Sequence, residues 1–66
     1  MREIKIIESE RNVRVTIDGV DEIKPQPFNT AEEKGTAVRI AKSVCYDIAV
    51  SMQRNGMGYV FTYLTT

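Results

Sequence analysis

The sequence contains no histidine, no tryptophan and one cysteine, Cys45. Without histidine it lacks the side chain that most often transfers protons near neutral pH and activates serine or cysteine nucleophiles. One cysteine cannot close a disulfide within the chain. A zinc site of cysteine and histidine ligands is excluded because such sites need about four of them. We therefore expect no catalytic residue, no bound metal and no cofactor.

Long apolar runs are absent as well. No window approaches the roughly 20 apolar residues that span a membrane. Residues 1–8 alternate charged and apolar side chains, unlike the continuous apolar segment of a signal peptide. An unpaired cysteine fits a reducing compartment. These features predict a cytoplasmic protein that has no membrane partner.

Neither sign of charge is in excess, because nine basic residues balance nine acidic ones. The balance is uneven along the chain: residues 1–33 hold eight acids and five bases, and residues 34–66 hold one acid and four bases. A domain that binds duplex nucleic acid normally shows a basic excess. The charge pattern therefore argues against duplex binding as the main task.

The chain is short, and its 66 residues are expected to form one domain, 1–66. A domain of this size buries only about 60% of the surface that its unfolded chain exposes. Small domains usually need an additional source of stability, such as disulfides, a bound metal or oligomerisation. Because disulfides and zinc are excluded, very good packing or self-association remain as sources of stability, and we expect self-association, most simply a homodimer.

The first third of the chain predicts a β-hairpin over 3–18. Apolar and polar residues alternate strictly in 3–8 and 12–18, which is typical of half-buried strands. Two registers place both apolar rows on one face: Ile6 lies opposite either Val13 or Val15. Charge repulsion across the strands does not decide between them. Two prolines then make 19–29 a connector.

A long helix is predicted over 30–54. Thr30 and Glu33 have the spacing of a capping box, in which each side chain bonds a backbone N–H of the first turn. Apolar side chains recur every three or four residues as far as Met52, and Asn55-Gly56 suits a helix end. Residues 57–64 favour a third strand.

The element order is therefore β-β-α-β, and the predicted fold class is α+β. We expect a three-stranded antiparallel sheet in the order 2-1-3, with one long helix packed on one face. A single helix leaves the other sheet face uncovered. Tyr59, Phe61 and Tyr63 form a row that we expect to line this uncovered face and to meet a second copy. Packing in the core, or stacking on a ligand, are the alternatives.

Further candidate residues lie on the helix. Tyr46 and Val50 are four residues apart on its outer side, so they form a candidate docking patch. For nucleic acid, the candidates are basic residues, either two beside the aromatic row or three on the helix: Lys5 and Arg14, or Arg39, Lys42 and Arg54.

Together these patterns predict a small, non-enzymatic regulatory protein that works through protein–protein contacts. It would act as a homodimer that inhibits, sequesters or adapts an unidentified protein partner. The first alternative is a nucleic-acid-binding protein that uses the aromatic row. The second is a carboxylate- or metal-dependent enzyme with a site at a subunit interface.

Overall fold

The computed structural model describes all 66 residues. Its elements, in chain order, are β1 (Arg2–Glu8), β2 (Asn12–Ile17), β3 (Val20–Asp21), β4 (Gln26–Pro27), α1 (Ala31–Arg54) and β5 (Tyr59–Thr65). The five strands form one sheet in the order β3-β2-β1-β5, and β4 also pairs with β2. The helix packs on one face of this sheet, which confirms the predicted α+β class.

The hairpin of β1 and β2 adopts the register in which Ile6 lies opposite Val15. The turn determines this choice. Ser9 N–H donates to the Asn12 carbonyl at 2.9 Å, and the Ser9 hydroxyl donates to the same carbonyl at 3.1 Å. Closing the turn between these two residues fixes the pairing of every residue that follows.

Residues 19–29 were predicted as a connector without strands. They contain the short strands β3 and β4, so the prediction is wrong for these residues. Asp18 and Gly19 have φ values of 51° and 85° and link Ile17 directly to its partner Val20. Positive φ at both loop residues is the requirement of a tight type I′ hairpin turn. Pro27 is compatible with β4 because β4 lies at the edge of the sheet, where a missing N–H costs little.

Both ends of α1 are capped. The Thr30 hydroxyl accepts a hydrogen bond from Glu33 N–H at 3.1 Å, as the capping box predicts. The Glu33 carboxylate accepts from Asn29 N–H at 2.7 Å, one residue earlier than expected. At the other end Gly56 has a φ of 70°, and Met57 N–H donates to the Met52 carbonyl at 2.9 Å. This is the Schellman arrangement.

Strand β5 runs parallel to β1, so the prediction of an all-antiparallel sheet is wrong. The helix begins beside the end of β1, where Lys34 Nζ lies 3.8 Å from a Glu8 oxygen. It then returns to the start of β1, where Arg2 N–H donates to the Gly58 carbonyl at 3.2 Å. The chain therefore enters β5 at the end where β1 begins. Among the three long strands, the order β2-β1-β5 is as predicted.

The core lies between α1 and the two central strands. The sheet contributes Ile4, Ile6, Val13 and Val15, and the helix contributes Ala37, Ala41, Cys45 and Met52. The two alanines bring the helix backbone close to β2 and β1. The helix α1 lies over these strands and not over β5. The helix does not have the apolar length that crossing a membrane requires.

Candidate interaction surface

The aromatic row of β5 lies on the helix side of the sheet. Phe61 is paired with Ile4, and Tyr63 with Ile6. Paired residues on neighbouring strands share a face, and both isoleucines are fully buried beneath the helix. The prediction that Tyr59, Phe61 and Tyr63 line the uncovered face is therefore wrong.

These aromatic side chains nevertheless remain accessible, because α1 lies over β1 and β2 and does not cover β5. Phe61 keeps 49% of its surface exposed and Tyr63 keeps 37%. Tyr59 is half-buried and packs against the core. Between helix and strand lies a shallow groove of about 320 Å³, lined by Lys42, Cys45, Tyr46, Ala49, Tyr59 and Phe61.

The opposite face of β5 is apolar too. Val60 is 45% exposed and Leu64 is 39% exposed. Leu64 is paired with half-buried Ile7, which extends the apolar area onto β1. Side chains on both faces of β5 are thus apolar, which is the pattern of a strand buried inside a sheet.

The hydrogen bonds to β1 determine which backbone groups of β5 stay free. Gly58 C=O accepts from Arg2 N–H just before the strand, and Thr66 N–H donates to Glu8 C=O at 2.8 Å just after it. The even-numbered positions therefore point toward β1. Because bonding directions alternate along a strand, the N–H and C=O groups that point to the free edge are those of Tyr59, Phe61, Tyr63 and Thr65.

One polar cluster holds the far end of β5 in place. The Glu8 carboxylate accepts from the Tyr63 hydroxyl at 3.2 Å and from Thr65 Oγ1 at 3.5 Å, and Lys34 lies beside it. Desolvation, followed by the charge of Glu8 and this hydrogen bond, raises the pKa of the Tyr63 phenol above its usual value. The ring of Tyr63 is therefore fixed by its hydroxyl while one side stays open.

The two helix candidates, Tyr46 and Val50, lie together as expected. They line a second shallow depression of about 580 Å³ with Asp47, Ser51, Arg54 and Asn55. Tyr46 also borders the groove beside β5. One exposed aromatic ring therefore connects the outer helix surface with the β5 side.

The basic candidates separate into two groups. Lys5 pairs with Thr16 and Thr62 on the face away from the helix, and Arg14 lies on that face as well. Arg14 Nε is 3.0 Å from an Asp21 oxygen, and Lys5 Nζ is 3.8 Å from a Glu3 oxygen. The prediction that they join the aromatic row in one surface is wrong, since the row lies on the other face.

The helix group is placed differently. Arg39, Lys42 and Arg54 are exposed on α1. Lys42 borders the groove beside Phe61, whereas Arg54 lines the depression near Asn55. Lys42 is thus the basic candidate that the fold brings to the aromatic row.

Two other reactive groups, Cys45 and Asp18, are engaged within the fold itself. Cys45 is buried in the core, and desolvation raises the pKa of its thiol. Asp18 accepts hydrogen bonds from Glu3 N–H at 2.9 Å and Arg2 Nε at 3.0 Å. No group of three or more acidic or cysteine side chains is arranged to hold a metal ion.

The free edge of β5 and its two apolar sides were not recognised as one surface in the sequence. The signal was present, because no residue after Arg54 has a charged side chain. The chain matches no protein-family model, and no curated protein or solved structure is significantly similar to it.

Proposed function

We propose that this chain is a small, non-enzymatic binding protein that acts as a homodimer. Its working region is the β5 surface, which we define as the free edge of β5 with Val60, Phe61, Tyr63 and Leu64. The observation that carries the proposal is that these four apolar side chains are exposed on both sides of an unpaired strand edge.

Exposed edges are normally protected. Natural sheets protect them with lysine, proline, bulges or very short strands, because an open edge recruits other chains. The far edge of this sheet follows the rule, since β3 and β4 have two residues each and Pro27 lies in β4. Strand β5 has seven residues and no charge or proline. The contrast supports a role for β5 as an interface.

The chemistry of the β5 surface also favours binding over catalysis. Its only ionisable side chains are tyrosines, and burial and Glu8 raise the pKa of Tyr63 further above neutrality. Phenols in this state stay protonated near pH 7 and do not act as general bases. A regulatory protein that inhibits, sequesters or adapts a partner would need no such group.

Nucleic-acid binding is the second candidate, and the groove beside β5 favours it. Lys42 borders the exposed rings of Phe61 and Tyr46 in that groove. A basic side chain next to aromatic rings is suited to a single strand, because bases stack on the rings while phosphates meet the cation. This reading requires oligonucleotide binding that weakens as salt rises from about 50 to 200 mM.

Sedimentation equilibrium at micromolar concentration tests the main proposal. The expected mass is about twice the 7.5 kDa of the chain. Phe61→Lys should weaken the dimer at least about tenfold, because it places an unpaired charge in an apolar contact. Val20→Lys is the matched control, since Val20 is an exposed apolar residue on the opposite edge of the sheet.

Circular dichroism of both variants checks that they remain folded. A wild-type protein that sediments as a 7.5 kDa monomer would contradict the proposal. Equal association of Phe61→Lys and the wild type would place the interface elsewhere.

A further inference from the structure

We infer that the partner on the β5 edge is a second copy, whose β5 pairs antiparallel with this one about a twofold axis at Thr62. The inference rests on the proposed homodimer and specifies its geometry. Two sheets of five strands would then join into one continuous sheet through their long edges. A twofold axis perpendicular to the sheet would place both helices on the same face.

The backbone restricts how two β5 strands can pair. The free edge offers the N–H and C=O groups of odd-numbered residues only, as the bonds at Gly58 and Thr66 show. In an antiparallel pair, two opposed residues exchange both bonds only if each points toward the other. Odd-numbered residues must therefore oppose odd-numbered residues, which excludes half of the conceivable registers.

Among the remaining registers, the one centred on Thr62 overlaps all seven residues of β5. It places Phe61 opposite the partner's Tyr63 on the helix side, and Val60 opposite the partner's Leu64 on the other side. Aromatic rings then meet aromatic rings and aliphatic side chains meet aliphatic ones. Such cross-strand pairs are the units that stabilise a sheet.

Registers shifted by one pair are poorer. Centring on Phe61 places Val60 opposite the partner's Thr62, and centring on Tyr63 places Leu64 opposite the partner's Thr62. Each shift shortens the overlap and replaces an apolar pair with a mixed one. The strand is thus most complementary to its own copy in the Thr62-centred register.

The composition of β5 favours a copy over an unrelated strand. The residues after Arg54 have no charged side chains, so β5 has no charge with which to select a foreign strand. Natural interfaces use charge and polar groups to select partners and register. In a twofold pair of uncharged strands the same side chains serve both sides, and no like charges oppose each other.

The position of α1 leaves room for this pairing. With strands about 4.8 Å apart, a helix lying over β1 and β2 would be roughly 19 to 24 Å from its copy. Packed helices are 8–10 Å apart. The helices would therefore neither clash nor touch, and the strand edges would form the contact.

Disulfide trapping of Thr62→Cys tests the pairing. Thr62 and its copy would form a non-hydrogen-bonded pair with Cα atoms about 4.5 Å apart. This spacing lies within the 4.4–6.8 Å range of disulfides. Under mild oxidation we expect a cross-linked dimer to form at least about tenfold faster than for chance encounters in solution.

Val60→Cys is the matched control on the same strand and face. In the Thr62-centred pair, position 60 lies roughly 14 Å along the strand from its copy, so no disulfide should form. Native Cys45 is buried and common to both variants, and the unmodified protein gives the background rate.

The outcomes separate the two proposals when sedimentation is run beside the trapping. Fast cross-linking of Thr62→Cys but not Val60→Cys supports the pairing. A protein that sediments as a dimer while Thr62→Cys reacts no faster than Val60→Cys overturns this pairing and leaves the homodimer. A protein that stays monomeric overturns both.

Discussion

At the scale of single residues, Thr16 stands out because it is buried without a partner. It lies on the sheet face away from the helix, opposite Lys5, yet only 2% of its surface is exposed. Its hydroxyl makes no hydrogen bond. A buried polar group without a partner lowers the free energy of unfolding, because its hydration is lost and not replaced.

Thr16→Val should therefore stabilise the protein by about 1 kcal/mol, since valine has the same shape without the hydroxyl. Urea unfolding at one fixed protein concentration measures the change. Thr36→Val is the matched control. The Thr36 hydroxyl donates to the Glu32 carbonyl at 3.3 Å, so its removal should not stabilise the protein. A loss of stability in Thr16→Val would show that its hydroxyl is satisfied.

Asp18 shows how one residue can serve both the turn and the sheet. It adopts a φ of 51° at the tight turn after β2. The backbone N–H of Glu3 and then the Arg2 side chain hold the pKa of its carboxyl below the usual 3.8. A carboxyl with a lowered pKa in the folded state stabilises it above the unfolded pKa, and this contribution disappears as pH falls through the folded pKa.

Asp18→Asn should consequently lower the free energy of unfolding at pH 7. The free energies of unfolding of the variant and the wild type should become more similar below about pH 4. Asparagine tolerates the same backbone angles, so the turn should persist. Urea unfolding between pH 7 and pH 2.5 gives the profile. Glu10→Gln, at the exposed tip of the first turn, is the control. Its free energy of unfolding should fall at low pH in the same way as that of the wild type. A constant difference between Asp18→Asn and wild type across this range would refute the linkage.

At the scale of elements, the helix and the hairpin could be predicted because their signals are local. Thr30 caps α1 as its spacing with Glu33 indicates. The alternation of apolar residues correctly identified β1 and β2. Their register depended on bonds between Ser9 and Asn12, which alternation alone does not specify because both registers bury the same apolar rows.

Strand β5 was correctly predicted as a strand, but the predictions of its direction and of the face that its aromatic row occupies were wrong. Both depend on contacts between residues more than fifty positions apart in the sequence, such as Ile4 with Phe61. The aromatic row faces the helix and still stays accessible because α1 packs over β2 and β1 and leaves β5 largely uncovered. No pattern within residues 57–64 contains that information.

At the scale of the whole molecule, the two edges of the sheet differ sharply. One edge ends in the two-residue strands β3 and β4, and the other in the seven-residue strand β5. The molecule is 39 Å long and 18 by 16 Å across. Such a narrow body has little interior, so an apolar strand at its edge is most stable when another chain covers it.

In the proposed dimer, the outward-facing backbone of β5 pairs with that of a second copy. Amide hydrogen exchange followed by NMR at high and low protein concentration tests it most directly. Val60 and Leu64 provide the internal controls. The amides of even-numbered β5 positions point toward β1 of the same chain, so their protection does not require a second copy.

If this pairing occurs, we expect the amides of Phe61 and Tyr63 to be protected at concentrations where the protein is dimeric and to exchange rapidly when it is diluted to monomers. At both concentrations the amides of Val60 and Leu64 should be more protected than those of Phe61 and Tyr63. Rapid exchange of Phe61 and Tyr63 in a sample that sediments as a dimer would contradict it.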